Sequence, residues 1–252
     1  MNIDLPRQEQ IFDLRKLWQE AFGDTDAFLD DFFAAADPLN HCRCTTVDGK
    51  PVAALYWFDC TWQEKKLAYL YAVATQKEYR GQGLCRKLME NTLRFLDENG
   101  YYGAMLVPGD EALRKMYASM GYQTATYITQ ICCEASDREI PLRTLEAVEY
   151  AALRRQYLPA EGVLQEGCNL AFFVRHGMLL AGEDFLLAGE MQDGVLYGEL
   201  LGDLRKAPDI VRTVGCHEGR LRTLGAQQPF AMYHPLEQQS SGMPGYFGLA
   251  FD

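Results

Sequence analysis

The sequence predicts an α+β fold in which the 252 residues form two halves. Two observations lead to this prediction. Segments with helical and with strand-like spacing of apolar residues occur side by side along the chain. Their rough order of helices, strands, one buried strand, a helix and further strands occurs twice. The length suits one large or two small domains, and 48% apolar residues suffice for a core without disulfides or metals.

Composition and charge exclude several classes of protein. The formal net charge of −11 argues against nucleic-acid binding, which needs a basic face. No apolar run reaches the roughly 18 residues of a membrane span, and the N-terminus, MNIDLPRQEQ, lacks the apolar stretch of a secretory signal. We therefore expect a cytoplasmic protein without a membrane partner. Its eight cysteines lack CxxC spacing and matching histidines, so we expect reduced thiols and no metal site.

The chain begins with two predicted amphipathic helices and a hairpin. Apolar residues recur at helical spacing over residues 7–22 and again over residues 24–35. An Asp-Gly pair, typical of a tight hairpin turn, separates the strand-like residues 41–47 from residues 51–60. The first half is therefore predicted to open with two helices and two antiparallel strands.

Two apolar runs predict central strands. Residues 67–74, LAYLYAVA, and residues 101–107 are typical of strands that are buried on both faces. Between them, helical spacing covers residues 84–98 and ends at Asn99 and Gly100, which are common helix terminators. We therefore predict a strand, a helix and a second strand over this stretch.

A fourth helix and a last strand complete the first half. Asp110 can cap a helix over residues 111–120, which stops at Gly121. Residues 122–133 alternate and are rich in Thr and Ile, which predicts a strand. The polar residues 134–141 are then predicted to link the two halves.

The second half mixes the same kinds of element. One helix is predicted over residues 143–157 and another over residues 207–215, where Pro208 lies in the first turn. The predicted strands are separated by polar or glycine-containing turns and cover residues 171–174, 178–181, 185–190, 195–201, 220–224, 230–233 and 246–251.

A glycine-rich turn, RGQGLC at residues 80–85, is the most specific local feature. It directly precedes a helix, where free backbone N–H groups converge and the helix dipole favours negative charge. Glycine has no Cβ and lets a phosphate approach the backbone closely. The spacing is not that of a Walker loop, and a dinucleotide-binding GxGxxG would need glycine where Arg86 stands. The turn therefore predicts an anion site, with an ordinary turn as the alternative.

The strand, turn and helix together resemble a motif of a known family. Residues 71–89, YAVATQKEYRGQGLCRKLM, are similar to motif A of the GCN5-related N-acetyltransferases, the GNAT family. The motif core is R/Q-x-x-G-x-G/A, and Arg80, Gly83 and Cys85 stand in its positions. Cys85 departs from the usual Gly or Ala but is also small, so we expect the backbone path to be kept.

A second motif follows in the family's order. Residues 106–122, LVPGDEALRKMYASMGY, resemble motif B, a strand and then a helix that ends in Tyr-x-x-x-Gly-aromatic. The resemblance extends over roughly residues 1–133. It implies the GNAT acyltransferase fold, a mixed and mostly antiparallel sheet flanked by helices, in a domain over residues 1–135.

The resemblance implies acetyl-CoA as the cosubstrate. In the family, two strands splay apart at a bulge, and the freed backbone groups bind the pantetheine arm; here they would belong to Val73 and Thr75. Backbone N–H groups would bind the pyrophosphate, with two arginines nearby. The N–H groups would be those of Gly81, Gln82, Gly83 and Cys85, and the arginines are Arg80 and Arg86.

The resemblance also implies a general acid. Tyr117 lies where the family often has the acid that protonates the leaving thiolate, although the residue could simply pack against the sheet. No general base stands out. Tyr69 and Tyr71 share one face of their strand, whereas Asp59 and Glu20 are possible bases that could equally be surface acids.

Residues 142–252 resemble a second, degenerate GNAT-like domain, as in tandem members of the family. This half has no RxxGxG turn, which implies that the first half alone binds the cofactor. In some tandem relatives the terminal carboxylate reaches the first active site. Asp252 is therefore a further candidate base, provided that residues 246–251 pair into the first sheet.

The function implied by the resemblance is an N-acetyltransferase. We expect it to move an acetyl group from acetyl-CoA directly to a primary amine of a small molecule or peptide, without a metal. The acidic net charge weakly favours a cationic acceptor. The alternatives are a longer-chain acyltransferase and a non-catalytic CoA-binding sensor or interaction module.

Overall fold

The computed structural model describes residues 2–236 and 242–251, which form two mixed β-sheets flanked by helices. The predicted α+β class is therefore confirmed. The strands are β1 (Asn2–Asp4), β2 (Cys42–Val47), β3 (Lys50–Trp62), β4 (Lys65–Thr75), β5 (Gly103–Leu106), β6 (Gln123–Thr124), β7 (Tyr127–Glu134), β8 (Arg143–Thr144), β9 (Met178–Ala181), β10 (Phe185–Gln192), β11 (Val195–Gly202), β12 (Glu218–Leu224), β13 (Gln228–Pro229) and β14 (Met232–Pro235). The helices are α1 (Ile11–Phe22), α2 (Asp26–Ala35), α3 (Leu84–Glu98), α4 (Glu111–Ala118), α5 (Ala147–Tyr157), α6 (Cys168–Phe173) and α7 (Ala207–Thr213).

The first sheet has the strand order β1-β2-β3-β4-β5-β14-β6. Its neighbours pair antiparallel except β4 and β5, which run parallel. Helices α1 and α2 cover one face and α3 covers the other, so β4 is buried on both. Tyr69 of β4 packs in the core with Trp18 of α1, whereas Leu70 packs with Leu88 of α3. This two-sided burial explains the near-continuous apolar run that predicted a central strand.

The second sheet has the order β13-β7-β12-β11-β10-β9-β8, and β11 and β12 are its parallel pair. Helix α5 covers one face and α7 the other. Under α5 a fully buried ion pair links this helix to β11: the Arg154 guanidinium donates to both carboxylate oxygens of Glu199, at 2.7 and 2.8 Å. A third guanidinium nitrogen donates to the Val163 carbonyl, so both charges are hydrogen-bonded.

Each sheet takes a strand from the other part of the chain. Strand β7 pairs with β12 in the second sheet, and β14 pairs with β5 and β6 in the first. The predicted strand over residues 122–133 is therefore two strands in different sheets. The backbone turns at Ala125 and Thr126, whose N–H groups both donate to the Ala231 carbonyl. A division into residues 1–135 and 142–252 remains a prediction, and β7 and β14 pair across it.

Two predicted strands of the second half are wrong, and one predicted helix begins later than expected. The predicted strand over residues 171–174 is part of helix α6, because a short apolar run fits a buried helix as well as a strand. The predicted helix over residues 143–157 begins only at Ala147, since residues 143–144 pair with β9 as strand β8. In the predicted strand over residues 246–251, the strand-like pairing among the described residues is one isolated bridge from Tyr246 to Gly162, and the rest of this tail packs as irregular chain.

No helix in the described ranges, residues 2–236 and 242–251, is long and apolar enough to cross a membrane.

Candidate active site

Strands β4 and β5 separate at the centre of the first sheet. They pair over Leu67–Tyr69 and Gly103–Met105, and the pairing stops there although β4 continues to Thr75. Strand β4 is also irregular against β3, where the register shifts between Ala54 and Tyr56. Opposite this shift, Ala72 has a φ of +50°, in the left-handed region that non-glycine residues rarely adopt. The bulge and the early end of pairing open a cleft between the two strands.

Two neighbouring cavities occupy this cleft. The inner cavity, of about 410 Å³, lies between the ends of β4 and β5 and helices α1 and α4. The outer cavity, of about 330 Å³, follows β4 to the glycine-rich turn and the start of α3. Four side chains line both cavities, namely Phe22, Val73, Leu113 and Tyr117. The cleft therefore runs from the aromatic core of the sheet to the glycine-rich turn.

The glycine-rich turn has the geometry that its glycines require. Gly81 and Gly83 have φ values of +74° and +76°, and Gly83 is the N-cap of α3. No neighbouring atom lies within 4 Å of where a Cβ would stand on either residue. Glycine is therefore needed here for the backbone conformation. The turn is exposed, and the first N–H groups of α3 have no partner within the helix.

Protein contacts hold the two arginines beside the turn. The Arg80 Nε donates to the Thr75 carbonyl at 2.9 Å. The Arg86 guanidinium donates to the carbonyl and hydroxyl oxygens of Ser119 at the end of α4, at 3.1 and 2.8 Å. Glu20 also contacts this region, because its Oε1 accepts a hydrogen bond from the Lys77 N–H at 2.8 Å. Arg80, Arg86 and Glu20 thus position the chain around the turn.

Tyr117 lies where the two cavities meet. It projects from α4, is 6% exposed and contacts the Tyr122 ring edge-on, with 5.9 Å between ring centroids. Burial, and the nearby Cys85 thiol to a lesser degree, raise the pKa of the Tyr117 phenol well above its usual value. The hydroxyl therefore stays protonated at neutral pH. Burial likewise raises the pKa of Cys85, so this thiol is also neutral.

Asp59 belongs to a polar cluster and is not among the residues that line the two cavities. The Tyr101 hydroxyl donates to its Oδ1, the Lys66 Nζ is 3.1 Å from Oδ2, and the His41 Nε2 is 3.6 Å from Oδ1. Burial alone would raise the pKa of Asp59, but hydrogen bonds from His41, Tyr101 and Lys66 outweigh it and lower the pKa to about 2. Its carboxylate is thus occupied by contacts within this cluster.

The inner cavity contains two side chains that sequence reasoning missed as site residues. Asp24 is half-buried, lines the cavity and accepts a hydrogen bond from the Trp18 indole N–H at 2.7 Å. In the sequence Asp24 looked only like the start of a helix. Phe251 lines the cavity from the far end of the chain, and its N–H donates to the Tyr69 hydroxyl at 3.3 Å. The candidate base Asp252 lies outside the described residues.

Comparisons with solved structures identify the fold of the whole chain. A GCN5-related N-acetyltransferase from Anabaena variabilis superposes with a TM-score of 0.71 at 16% identity, over 94% of this chain and 73% of its own. One from Kribbella flavida gives 0.68 at 17% identity, over 93% and 72%. Eis1 from Mycobacterium abscessus gives 0.65 at 11% identity, over 94% and 74%. The fold is thus shared across both sheets, whereas a comparison with curated protein sequences finds no match.

The family comparison agrees with the motifs. The acetyltransferase (GNAT) family model matches residues 7–122, a range that contains β4, the glycine-rich turn, α3, β5 and α4. The turn, Tyr117 and every residue that lines the two cavities except Phe251 lie inside the matched range. Residues 7–122 of this chain therefore belong to the acetyltransferase (GNAT) family.

Proposed function

We propose that this protein is an N-acetyltransferase that transfers an acetyl group from acetyl-CoA to the primary amine of a small molecule or peptide. The observation that carries the proposal is the continuous cleft, in which an exposed glycine-rich turn and a largely apolar inner cavity meet at Val73 and Tyr117. Such a cleft accommodates an extended ligand with an anionic part at the turn and its reactive end beside Tyr117. The family of residues 7–122 supports the same activity.

The described residues suit acetyl-CoA along this cleft. The start of α3 suits the diphosphate, because helix N-termini attract anions and two arginines are nearby. The Thr75 carbonyl accepts from Arg80 and keeps a second lone pair, so it and the Val73 backbone can hold the pantetheine arm. The diphosphate would be bound by the N–H groups of Gly81, Gln82, Gly83 and Cys85, with Arg80 and Arg86 beside them.

The chemistry of the transfer requires little of the protein beyond orientation and one proton donor. Bound acetyl-CoA would supply an activated thioester: a carbon–nitrogen bond forms, the carbon–sulfur bond breaks, and the sulfur gains a proton to match the one that the amine loses. Tyr117 is proposed to give its hydroxyl hydrogen bond, and then its proton, to the leaving sulfur, and its phenolate then regains the proton that the amine loses. Its raised pKa keeps the phenol in the donating form.

A longer acyl chain is the second candidate, favoured by the size and the apolar wall of the inner cavity. An acyl chain that extended past Val73 would enter the same cavity of about 410 Å³ that an acceptor amine needs. The acyl chain and the acceptor therefore compete for one space, and a series of acyl-CoA substrates of different chain length distinguishes the two candidates.

The test begins with calorimetric titration of acetyl-CoA into the full chain. We expect saturable binding below about 1 mM, within the usual range for enzyme substrates. A panel of primary amines with free thiol as the readout should then give CoA release that depends on the amine and falls as the acyl chain lengthens. No binding at about 1 mM would contradict the proposal. Binding without transfer to any amine would favour a CoA sensor, and a rate that rises with chain length would favour the longer-chain acyltransferase.

A further inference from the structure

The inner cavity combines aromatic walls with one carboxylate. Its lining includes Trp18, Phe22, Phe28, Tyr69, Tyr71 and Phe251, and Asp24 is its one carboxylate among the described residues. No lysine or arginine is part of this described lining. The negative charge of Asp24 is therefore not compensated by a cation within the cavity wall.

The chain holds the Asp24 carboxylate in a fixed place. Gly23, with a φ of +79°, ends α1 and turns the chain directly before Asp24. The Trp18 indole that donates to Asp24 Oδ2 is 2% exposed and is packed between the rings of Phe32 and Tyr56, at 4.5 and 5.1 Å. A carboxylate accepts about four hydrogen bonds, so one bond from Trp18 leaves capacity for a ligand.

These walls match one class of ligand. The faces of aromatic rings attract cations through their quadrupole, and the attraction increases when water is excluded. A partly desolvated carboxylate attracts the same charge and would oppose the entry of an anion. The apolar surface of Phe22, Phe28 and Phe251 adds contact area for a hydrocarbon or aromatic body.

We propose that the acceptor is a cationic amine on an apolar body and that Asp24 binds its positive charge. This inference rests on the proposed function, because it names the substrate class of that same cleft. Asp24 acts in binding: the ammonium form predominates at neutral pH, so the carboxylate concentrates the acceptor in the cavity. Its removal therefore acts on KM for cationic acceptors more than on kcat.

The test uses two acceptors of nearly equal shape. Phenethylamine is a cation at neutral pH, whereas O-benzylhydroxylamine is neutral and also carries a primary nitrogen nucleophile. We expect the wild type to have the lower KM for phenethylamine. Asp24→Asn should reduce the ratio of the two kcat/KM values by about tenfold, through KM, whereas the matched control Asp26→Asn should retain the ratio. Asp26 is exposed, two residues further on, and contacts Arg15 and Gln19. An unchanged ratio in Asp24→Asn would overturn the inference.

A binding measurement separates this inference from the proposed function. Benzyltrimethylammonium cannot be acetylated, so its calorimetric affinity reports the cation site without transfer. We expect about tenfold weaker binding by Asp24→Asn and severalfold weaker binding by Phe22→Leu, whose side chain is exposed enough to be replaced without unfolding. Equal affinity in the wild type and both variants would refute the cation site even if acetyl transfer occurs. Asp24-dependent binding without any transfer would support the site and contradict the acetyltransferase.

Discussion

Single residues in the cleft owe their chemical state to burial. Tyr117 is nearly inaccessible, and burial keeps its phenol protonated far above neutral pH. Its neighbour Tyr122 has the same phenol but lies beyond the cavity lining, and no hydrogen-bond partner of its hydroxyl is present among the described residues. The two tyrosines are therefore a matched pair for separating chemistry from packing.

Replacing Tyr117 by Phe should lower kcat by about 100-fold, the lower range for a general acid. Tyr122→Phe should retain kcat near the wild-type value, because it removes a buried hydroxyl outside the cleft.

Because the Tyr117 phenol stays protonated, kcat/KM should rise with pH through the range in which the acceptor amine loses its proton. A decrease of kcat/KM that begins below about pH 10, the ordinary pKa of tyrosine, would contradict the claim that the Tyr117 phenol stays protonated. Steady-state kinetics between neutral and alkaline pH check each of these results.

Asp59 should stabilise the fold in a pH-dependent way. Its folded pKa of about 2 is below the usual value near 3.9, so its contribution is complete above about pH 4 and is lost as the pH falls through about 2. We expect Asp59→Asn to lower the free energy of unfolding at pH 7 by about 1 kcal/mol or less, since solvent screens this half-exposed cluster. The deficit should shrink towards pH 2. Urea unfolding at both pH values measures it, and a deficit that grows in acid would refute this account.

At the scale of elements, the glycine-rich turn joins β4 to α3 and aims the start of the helix at the outer cavity. Its geometry depends on a left-handed residue at the N-cap, Gly83. The other end of the same helix offers a comparison, because Gly100 has a φ of +75° and no atom within 4 Å of an added Cβ. Alanine at either position therefore meets the same backbone strain.

We expect Gly83→Ala and Gly100→Ala to lower the free energy of unfolding by a similar amount, about 1–2 kcal/mol each. Gly83→Ala should in addition weaken acetyl-CoA binding by about tenfold, because relaxation of the turn, strained by the added Cβ, would move the N–H groups that we propose bind the diphosphate. Calorimetry with both variants separates the two effects. Equal acetyl-CoA affinities would show that the turn serves only as a chain reversal.

At the scale of the whole molecule, the two sheets share one plan. Read from their first strands, the orders are β1-β2-β3-β4-β5-β14-β6 and β8-β9-β10-β11-β12-β7-β13, each with its parallel pair at the fourth and fifth strands. Position six of each sheet is filled from the other part of the chain. The shared order supports the proposal that residues 142–252 are a second, degenerate GNAT-like unit, and the exchanged strands join the two units.

The exchange should make the first half depend on the second for its folding. Residues 1–135 alone would lack β14, whose Met232 and Tyr233 are each 1% exposed in the first sheet. We expect this fragment to show no cooperative thermal transition, whereas the full chain should melt in a single transition. Circular dichroism measures both. A cooperative melt of residues 1–135 would contradict the dependence and favour an independent first domain.

The sequence by itself determined the elements around the cleft. Helical spacing predicted α3 and α4, and the apolar run predicted β4. The left-handed conformation of the two glycines before α3 also has a local cause, because glycine lacks a Cβ. The tertiary structure alone decided the exchange of β7 and β14, the helical state of α6, and the presence of Asp24 and Phe251 in one cavity. Pairing and proximity between distant segments depend on the packing of the whole core, and no local spacing encodes them.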